Sequence, residues 1–330
     1  MTSPFISIIV PVYNGARTIG RCLESVFKSS YPSFECIIVD DNSSDATLQI
    51  SRSFDAKVIR LAGHKGAAYA RNRGAEAAQG DILLFIDSDV TIYPDCLDNV
   101  IKRFKERPGI SALFGTYDDQ PDSLNFLSQY KNLFHHYIHQ TSQEEASTFW
   151  TACGAIKKDV FFEVGMFNEN TRMMEDIELG YRLKAKNHKT YLDKGLVVKH
   201  LKHYTFSSLL KSDLFDRAVP WTILILKNKQ SANDLNLKPG HKLSALIVMF
   251  MIASMFIAFK STWFIITTPV LLAVYFVMTH EFYGFYLKKR GLLFALKVVP
   301  LHMLYYLYGA LGFLIGHYRY FTKRGCAEVN

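Results

Sequence analysis

"GDILLFIDSDVTIYPD", residues 80–95, opens as a buried strand and ends in a cluster of acids. Ile82, Leu83, Leu84, Phe85 and Ile86 run without alternation, the pattern of a central parallel strand covered on both faces. Asp87, Ser88 and Asp89 follow at once. A dry strand that ends in two carboxylates puts charge where something outside the core must meet it.

Working outward, the neighbouring segments repeat the arrangement. "FISIIVPVYN" is an apolar, β-branched run closed by a turn signal, and Ile19, Leu23, Val26 and Phe27 then fall at helical spacing. "FECIIVDDNSSD" is a second buried run ending in acids, and "AKVIRLA" a third. "GHKGAAYARNRGAEAAQG" reads as an Ala-rich helix with a glycine-rich start. Strands alternating with helices predict right-handed βαβ units and a mostly parallel α/β sheet flanked by helices. Ligands of such sheets bind outside the carboxyl ends of the strands, where Asp40–Asp41 and Asp87–Asp89 both fall. In extended chain, carboxylates at i and i+2 point to the same side and repel. A hard divalent cation, Mg²⁺ or Mn²⁺, relieves that repulsion and commonly brings substrate phosphates with it. A solvated turn or helix cap is the plainer reading of Asp-Ser-Asp alone; two acid-ended strands in one sheet argue against it.

Composition narrows the classes. The chain has 330 residues, 49% of them hydrophobic, and from Leu243 onward it is mostly apolar while the first two thirds read as soluble protein. Five cysteines are scattered, odd in number and without CxxC spacing, which argues against a disulfide framework or zinc site and suits a reducing cytosol. "MTSPFISIIVPVYNG" has no basic segment before its short apolar run and does not read as a signal peptide. The net charge of +8 gathers beside the apolar segments, at Lys238, Lys242, Lys288, Lys289, Arg290, Arg319, Lys323 and Arg324. That points to a membrane and away from nucleic acid, since no basic stripe interleaved with aromatics appears in the soluble part. "NGARTIGRCL" after the first strand lacks GxGxxG, and GxxxxGK[ST] is missing too, so a dehydrogenase or ATPase loses support.

"SIIVPVYNGARTIGRCLESVF", "CIIVDDNSSDAT", "GAAYARNRGAEAAQGDILLFIDSDV", "TACGAIKKDVFFEVGMFNE" and "MEDIELGYRLK" resemble, in matching order over roughly residues 5–221, family-2 glycosyltransferases. The resemblance implies the nucleotide-sugar-binding, Rossmann-like GT-A fold. It implies that the backbone around Pro11 and Tyr13, with Asp40 and Asp41, would hold the nucleoside, and that Gly66 and Arg71 would lie near the nucleotide. Asp87 and Asp89 would be the metal-binding acid pair, Asp89 the direct ligand. "MED" would place the catalytic base at Asp176, supported by Glu175. An inverting transfer needs such a base facing the acceptor hydroxyl and a cation on the departing diphosphate. Simple capping of the following helix explains Asp176 alone but leaves Glu175 and Glu178 over.

Further candidates rest on less. In "VVKHLKHYTF", His200 or His203 would be a third metal or diphosphate ligand, with a surface histidine the alternative. Trp150, Cys153 and Gly154 would floor the acceptor pocket, although a core role is the ordinary reading of Trp150. Processive members of the family carry QxxRW; "LFDRAVPWT" offers Arg217 and Trp221 four residues apart, a partial match that favours addition of one or few sugars.

The expected organisation is a cytosolic catalytic domain over residues 1–225, a polar linker over 226–242 and a membrane domain over 243–330. Apolar runs at 243–259 and 263–279 would form a helical hairpin around "KST". The segment 292–316 would either span or break at Pro300 and lie in the interface, because basic residues at both of its flanks conflict with a single span. The reading is a membrane-anchored, metal-dependent, inverting glycosyltransferase. It would take sugar from a cytosolic nucleotide-sugar donor to a lipid-linked or membrane-bound acceptor. Alternatives are transfer to polyisoprenyl phosphate, a non-catalytic nucleotide-sugar-binding membrane scaffold, and a nucleotidyltransferase, which would want a GxGTR-like loop that "VYNGARTIG" is not.

Overall fold

The computed structural model describes residues 4–171, 173–228, 239–257 and 263–327. The chain divides into two compact units, Met1–His203 and Tyr204–Asn330.

The first unit is built on a nine-stranded sheet: β1 Ile6–Val12, β2 Phe34–Asp40, β3 Lys57–Arg60, β4 Ile82–Ile86, β5 Val90–Ile92, β6 Ile110–Tyr117, β7 Glu145–Ala146, β8 Cys153–Lys157 and β9 Lys189–His200. The strand order is β3-β2-β1-β4-β8-β6-β9-β5, with β7 paired to β9 off this path. The four runs legible in the sequence form the parallel half: β1 lies between β2 and β4, and β2 carries β3. β1 and β4 are buried along their whole lengths and β2 over Cys36–Asp40, whereas the edge strand β3 is partly exposed. Beyond β4 the sheet turns mixed, with β8 antiparallel to both β4 and β6, and β9 parallel to β6.

The Ala-rich stretch is the helix Ala67–Glu76, buried through Ala68, Ala70, Arg71, Asn72, Gly74 and Ala75. Its small residues let the backbone lie close on the sheet. A Cβ at Gly74 would stand 2.5 Å from Ile9 Cγ2 and 3.2 Å from Val39 Cγ2.

The second unit begins earlier than the expected boundary at residue 225. Helix Phe206–Asp213, a π-helical turn Leu214–Ala218 and helix Val219–Asn228 belong to it. The physical reason is their packing on helix Leu292–Ala327, where Gly312 and Gly316 admit the backbone of Ala218 and Val219 and the side chain of Thr222. The Tyr308 hydroxyl donates to Asp213 Oδ2 at 2.6 Å in the same contact. Of the expected linker, residues 229–238 lie outside the described residues, as does the "KST" turn.

Three apolar helices follow, Pro239–Ile257, Trp263–Arg290 and Leu292–Ala327. The stretches Ile266–Arg290 and Leu292–Thr322 are long and apolar enough to cross a membrane, while the first helix is shorter. The second runs on past the expected end at residue 279 as far as Arg290. Of the two alternatives for segment 292–316, the break at Pro300 does not occur: helix Leu292–Ala327 continues through it. A proline costs one backbone hydrogen bond and bends a helix without having to end it.

Candidate active site

At the carboxyl ends of β1 and β2 the chain is turn-rich and strapped by side chains. Val12 pairs with Asp40, and the Asp41 N–H donates to Val12 O at 2.8 Å. Asp40 is fully buried; its Oδ1 accepts from Ser43 N at 3.2 Å, and Arg60 Nε lies 3.7 Å from Oδ2. Asp40, expected beside the nucleoside, thus holds the loop at the strand end through Ser43. Asp41 collects the N–H groups of Lys65 (2.7 Å) and Gly66 (2.8 Å) and the His64 Nδ1 (2.8 Å). Gly66 has φ +97°, a left-handed conformation natural to glycine, so Asp41 fixes the start of helix Ala67–Glu76. Tyr13 is 47% exposed and its ring stacks on His64 with centroids 4.0 Å apart. Pro11, inside β1, is buried in the sheet. His64 escaped the sequence reading, because only the fold brings it onto Tyr13 and Asp41.

The Asp87–Asp89 pair does not share a direction. The chain turns between β4 and β5, because β5 pairs with β9 rather than continuing along β4. The expectation of two carboxylates on one side of an extended segment is corrected accordingly. Asp87 Oδ1 accepts from Arg71 Nη2 at 2.8 Å. Asp89 faces His200 instead, with Oδ2 and Nε2 3.6 Å apart. The β5–β9 ladder makes this meeting, pairing Val90 with His200, while the Leu201 N–H donates to Asp89 O at 2.8 Å. Tyr117, another residue the sequence did not reveal, stacks flat on His200 at 4.1 Å, and Trp150 meets Tyr117 edge-on at 4.7 Å. Burial opposes charge on Asp89, but the close approach of the His200 ring and the charge of Lys202 outweigh that and hold its carboxyl down at about 2.

Among the described residues no three His, Cys, Asp or Glu side chains gather as a ready-made metal site. Asp89 with His200 supplies one ionised oxygen donor and one imidazole nitrogen within reach of each other. Such a two-ligand set fits Mg²⁺ or Mn²⁺, which keep several positions for water and phosphate oxygens. Asp87, engaged by Arg71, is not part of that pair. His203 lies elsewhere, near Ser123 at 3.0 Å and Asn125 at 3.3 Å.

The third group stands at the start of helix Glu175–Ala185, which the chain enters through Met174 in the left-handed region, φ +70°. Glu175 is buried and its Oε1 takes Arg71 Nη1 at 2.5 Å. Asp176 is partly exposed, and its Oδ1 accepts from the Ile177 N–H at 2.8 Å. Burial and the adjacent Glu175 carboxylate push Asp176 up to about 7, against the pull of Arg71 and the Ile177 N–H. The helix is seated by Gly180, where a Cβ would come within 2.4 Å of the Thr148 backbone. The loop before it is pinned by Asn72, which donates to Phe167 O (2.9 Å) and accepts from Phe167 N (3.0 Å). The signal for Asn72 was present as a polar Arg71-Asn72-Arg73 run inside an otherwise small-residue helix.

Of the residues expected to floor the acceptor pocket, Cys153 and Gly154 are buried within β8, paired with Ile86 and Phe85, and a Cβ at Gly154 would meet Trp150 O at 2.4 Å. A hydrogen bond to Cys96 raises the Cys153 thiol, together with burial. Trp150 is partly exposed beside Tyr117 and His139. Arg217 and Trp221 belong to the second unit, and Trp221 is buried.

A parallel half-sheet whose strand ends gather acids, completed by a helix that starts on two more, is the GT-A architecture. Residues 7–165 match the family described as Glycosyl transferase family 2, so this stretch of the chain is a domain of that family. An uncharacterized glycosyltransferase of Haemophilus influenzae is 31% identical over 190 residues, 54% of this chain and 61% of that protein. Bacillus subtilis TuaG, named for teichuronic acid biosynthesis, is 34% identical over 146 residues, 39% of this chain and 58% of its own length. The chain thus spans less than two thirds of these relatives. Among solved structures, the mannosyltransferase PcManGT from Pyrobaculum calidifontis, in complex with GDP-Man and Mn²⁺, aligns over 95% of this chain and 88% of its own. Its TM-score is 0.61 at 17% identity, a likeness of fold.

Proposed function

We propose that this chain transfers a sugar from a nucleotide-sugar donor to a lipid-linked or membrane-associated acceptor, with inversion and with the help of a divalent cation. The observation that carries the reading is the separation of two acid centres: Asp89 with His200 at one, Glu175 with Asp176 at the other. Asp176 sits near neutrality, where a carboxylate both exists in its basic form and can take a proton.

In the proposed reaction Asp176 takes the proton of the acceptor hydroxyl. The acceptor oxygen bonds to the anomeric carbon as the bond from that carbon to the diphosphate breaks. Tyr13, exposed at the end of β1, offers a ring face to the nucleobase. A divalent cation held by Asp89 and His200 would supply charge neutralisation on the departing diphosphate. Mn²⁺ in the GDP-Man complex of the Pyrobaculum enzyme supports that choice of ion. The apolar stretches Ile266–Arg290 and Leu292–Thr322 would anchor the enzyme at a membrane, the sheet unit on the cytosolic side with the nucleotide donors. The name of the Bacillus relative suggests an envelope polysaccharide as the product.

The test is a donor screen with purified protein and native-membrane lipid extract, following labelled sugar and the released nucleotide, with and without chelator. Nucleoside diphosphate release with label moving into lipid is expected. Pyrophosphate release, or donor binding without turnover in the presence of extract, would overturn the reading.

A further inference from the structure

Arg71, expected near the nucleotide, is engaged by two carboxylates. Its side chain is 6% exposed and both terminal nitrogens are occupied. Nη1 donates to Glu175 at 2.5 Å and Nη2 to Asp87 at 2.8 Å, partners that lie 104 and 16 residues away along the chain. The guanidinium also lies 5.7 Å from the centroid of the Phe167 ring, and the adjacent Asn72 pins Phe167 from the same helix. A buried planar fork shared by two carboxylates from two segments fixes their spacing, which a lysine's single ammonium does not do. We infer that Arg71 is a positioning residue for the proposed transfer: it ties the donor-side turn after β4 to the segment that presents Asp176 and thereby holds the base in place and in its charge environment. This rests on the reading of Asp176 as the base.

Three charges among the described residues act on Asp176. Glu175 is on its own helix, Arg71 comes from helix Ala67–Glu76, and Asp87 from the turn after β4. Glu175 and Asp87 disfavour the carboxylate form of Asp176; Arg71 favours it. The two partners of one ion pair therefore act on the base with opposite sign. Neutralising Arg71 makes Asp176 harder to ionise, and neutralising Glu175 makes it easier. A contact that merely cements the fold has no such signature.

The experiment measures the pH dependence of transfer at saturating donor, with the full chain and native-membrane lipid extract as acceptor source. The variants are Arg71→Met, Glu175→Gln, their double, Arg71→Lys and Asp176→Asn. The low-pH limb is expected to move up by about one pH unit or more in Arg71→Met and down in Glu175→Gln, with the double variant between them. Arg71→Lys keeps the charge and loses the fork, so its limb stays near the parent's while its maximal rate falls. Donor dissociation constants stay within about twofold throughout. Should Arg71→Met fail to fold by circular dichroism, Glu175→Gln and Arg71→Lys carry the test. Limbs that stay put, or that move the same way, overturn the inference. So does an Arg71→Lys variant that loses donor affinity, which would make Arg71 a nucleotide ligand. Asp176→Asn separates the two failures: if it transfers normally the base assignment is wrong, whereas an inactive Asp176→Asn beside unmoved limbs removes only the role of Arg71.

Discussion

Replacing Asp176 by asparagine puts the proposed mechanism under the most direct strain. The amide keeps the carboxylate's shape, and its oxygen can still accept from the Ile177 N–H now bonded at 2.8 Å. Removing the charge also removes a repulsion from Glu175, so the fold should hold, with a melting temperature unchanged or higher above pH 7. The sign follows from the raised value: a carboxyl pushed up to about 7 in the folded chain disfavours folding as pH rises through that range, and the amide is free of that penalty. Activity should behave otherwise. General-base assistance is typically worth about 10²–10⁴-fold, and transfer should fall by that factor. In the parent, a base near 7 is ionised to about one tenth at pH 6 and about nine tenths at pH 8, so transfer should rise roughly tenfold between them. The residual rate of Asp176→Asn should lose that rise. Labelled-sugar transfer at both pH values and donor affinity by calorimetry make the comparison. Transfer within a few-fold of the parent refutes the base assignment, and a collapse of donor binding would move Asp176 to the metal.

Asp89→Ala should abolish the metal-dependent part of nucleotide affinity, and His200→Ala should weaken it less; calorimetry with and without Mn²⁺ reads both, and unchanged affinity in Asp89→Ala sinks the site. Deleting everything after residue 203, the end of the first unit, should release a protein that still binds donor but no longer transfers to its natural acceptor; sedimentation with membranes although folded would show that the anchor is misplaced. Gly180→Ala should cost about 1–3 kcal/mol in thermal or denaturant unfolding, because the Thr148 backbone, 2.4 Å from the new Cβ, cannot yield as a side-chain tip would. Undiminished stability there would mean that the helix bearing Asp176 is not seated as described.

The parallel half of the sheet was legible because each of its strands is a local object. β4 is an unbroken apolar run, and β1 and β2 carry the apolar stretches Ile8–Val10 and Cys36–Val39, all buried, and burial on both faces writes itself into consecutive residues. The acids at their ends follow from the same pattern, as do the Ala-rich helix and the apolar helices of the second unit. The mixed half left no comparable trace. β5 is three residues long and β7 two, and of β9 only the strand-like run before His200 shows in the sequence. So the sequence determined that acids stand at strand ends and before a helix, while the tertiary structure decided what each acid does. Asp87 and Asp89 are two residues apart, yet one turns to Arg71 and the other to His200, because the chain bends to send β5 to β9. Asp40 and Asp41 are adjacent, yet one is locked under a turn and the other anchors the loop at Gly66. Cys153 and Gly154 are drawn into the core by antiparallel pairing with β4. Pattern along a chain reports which face of an element is dry; the partner of a polar side chain is set by whatever residue distant in sequence the fold brings within about 3 Å, and no local pattern encodes that distance.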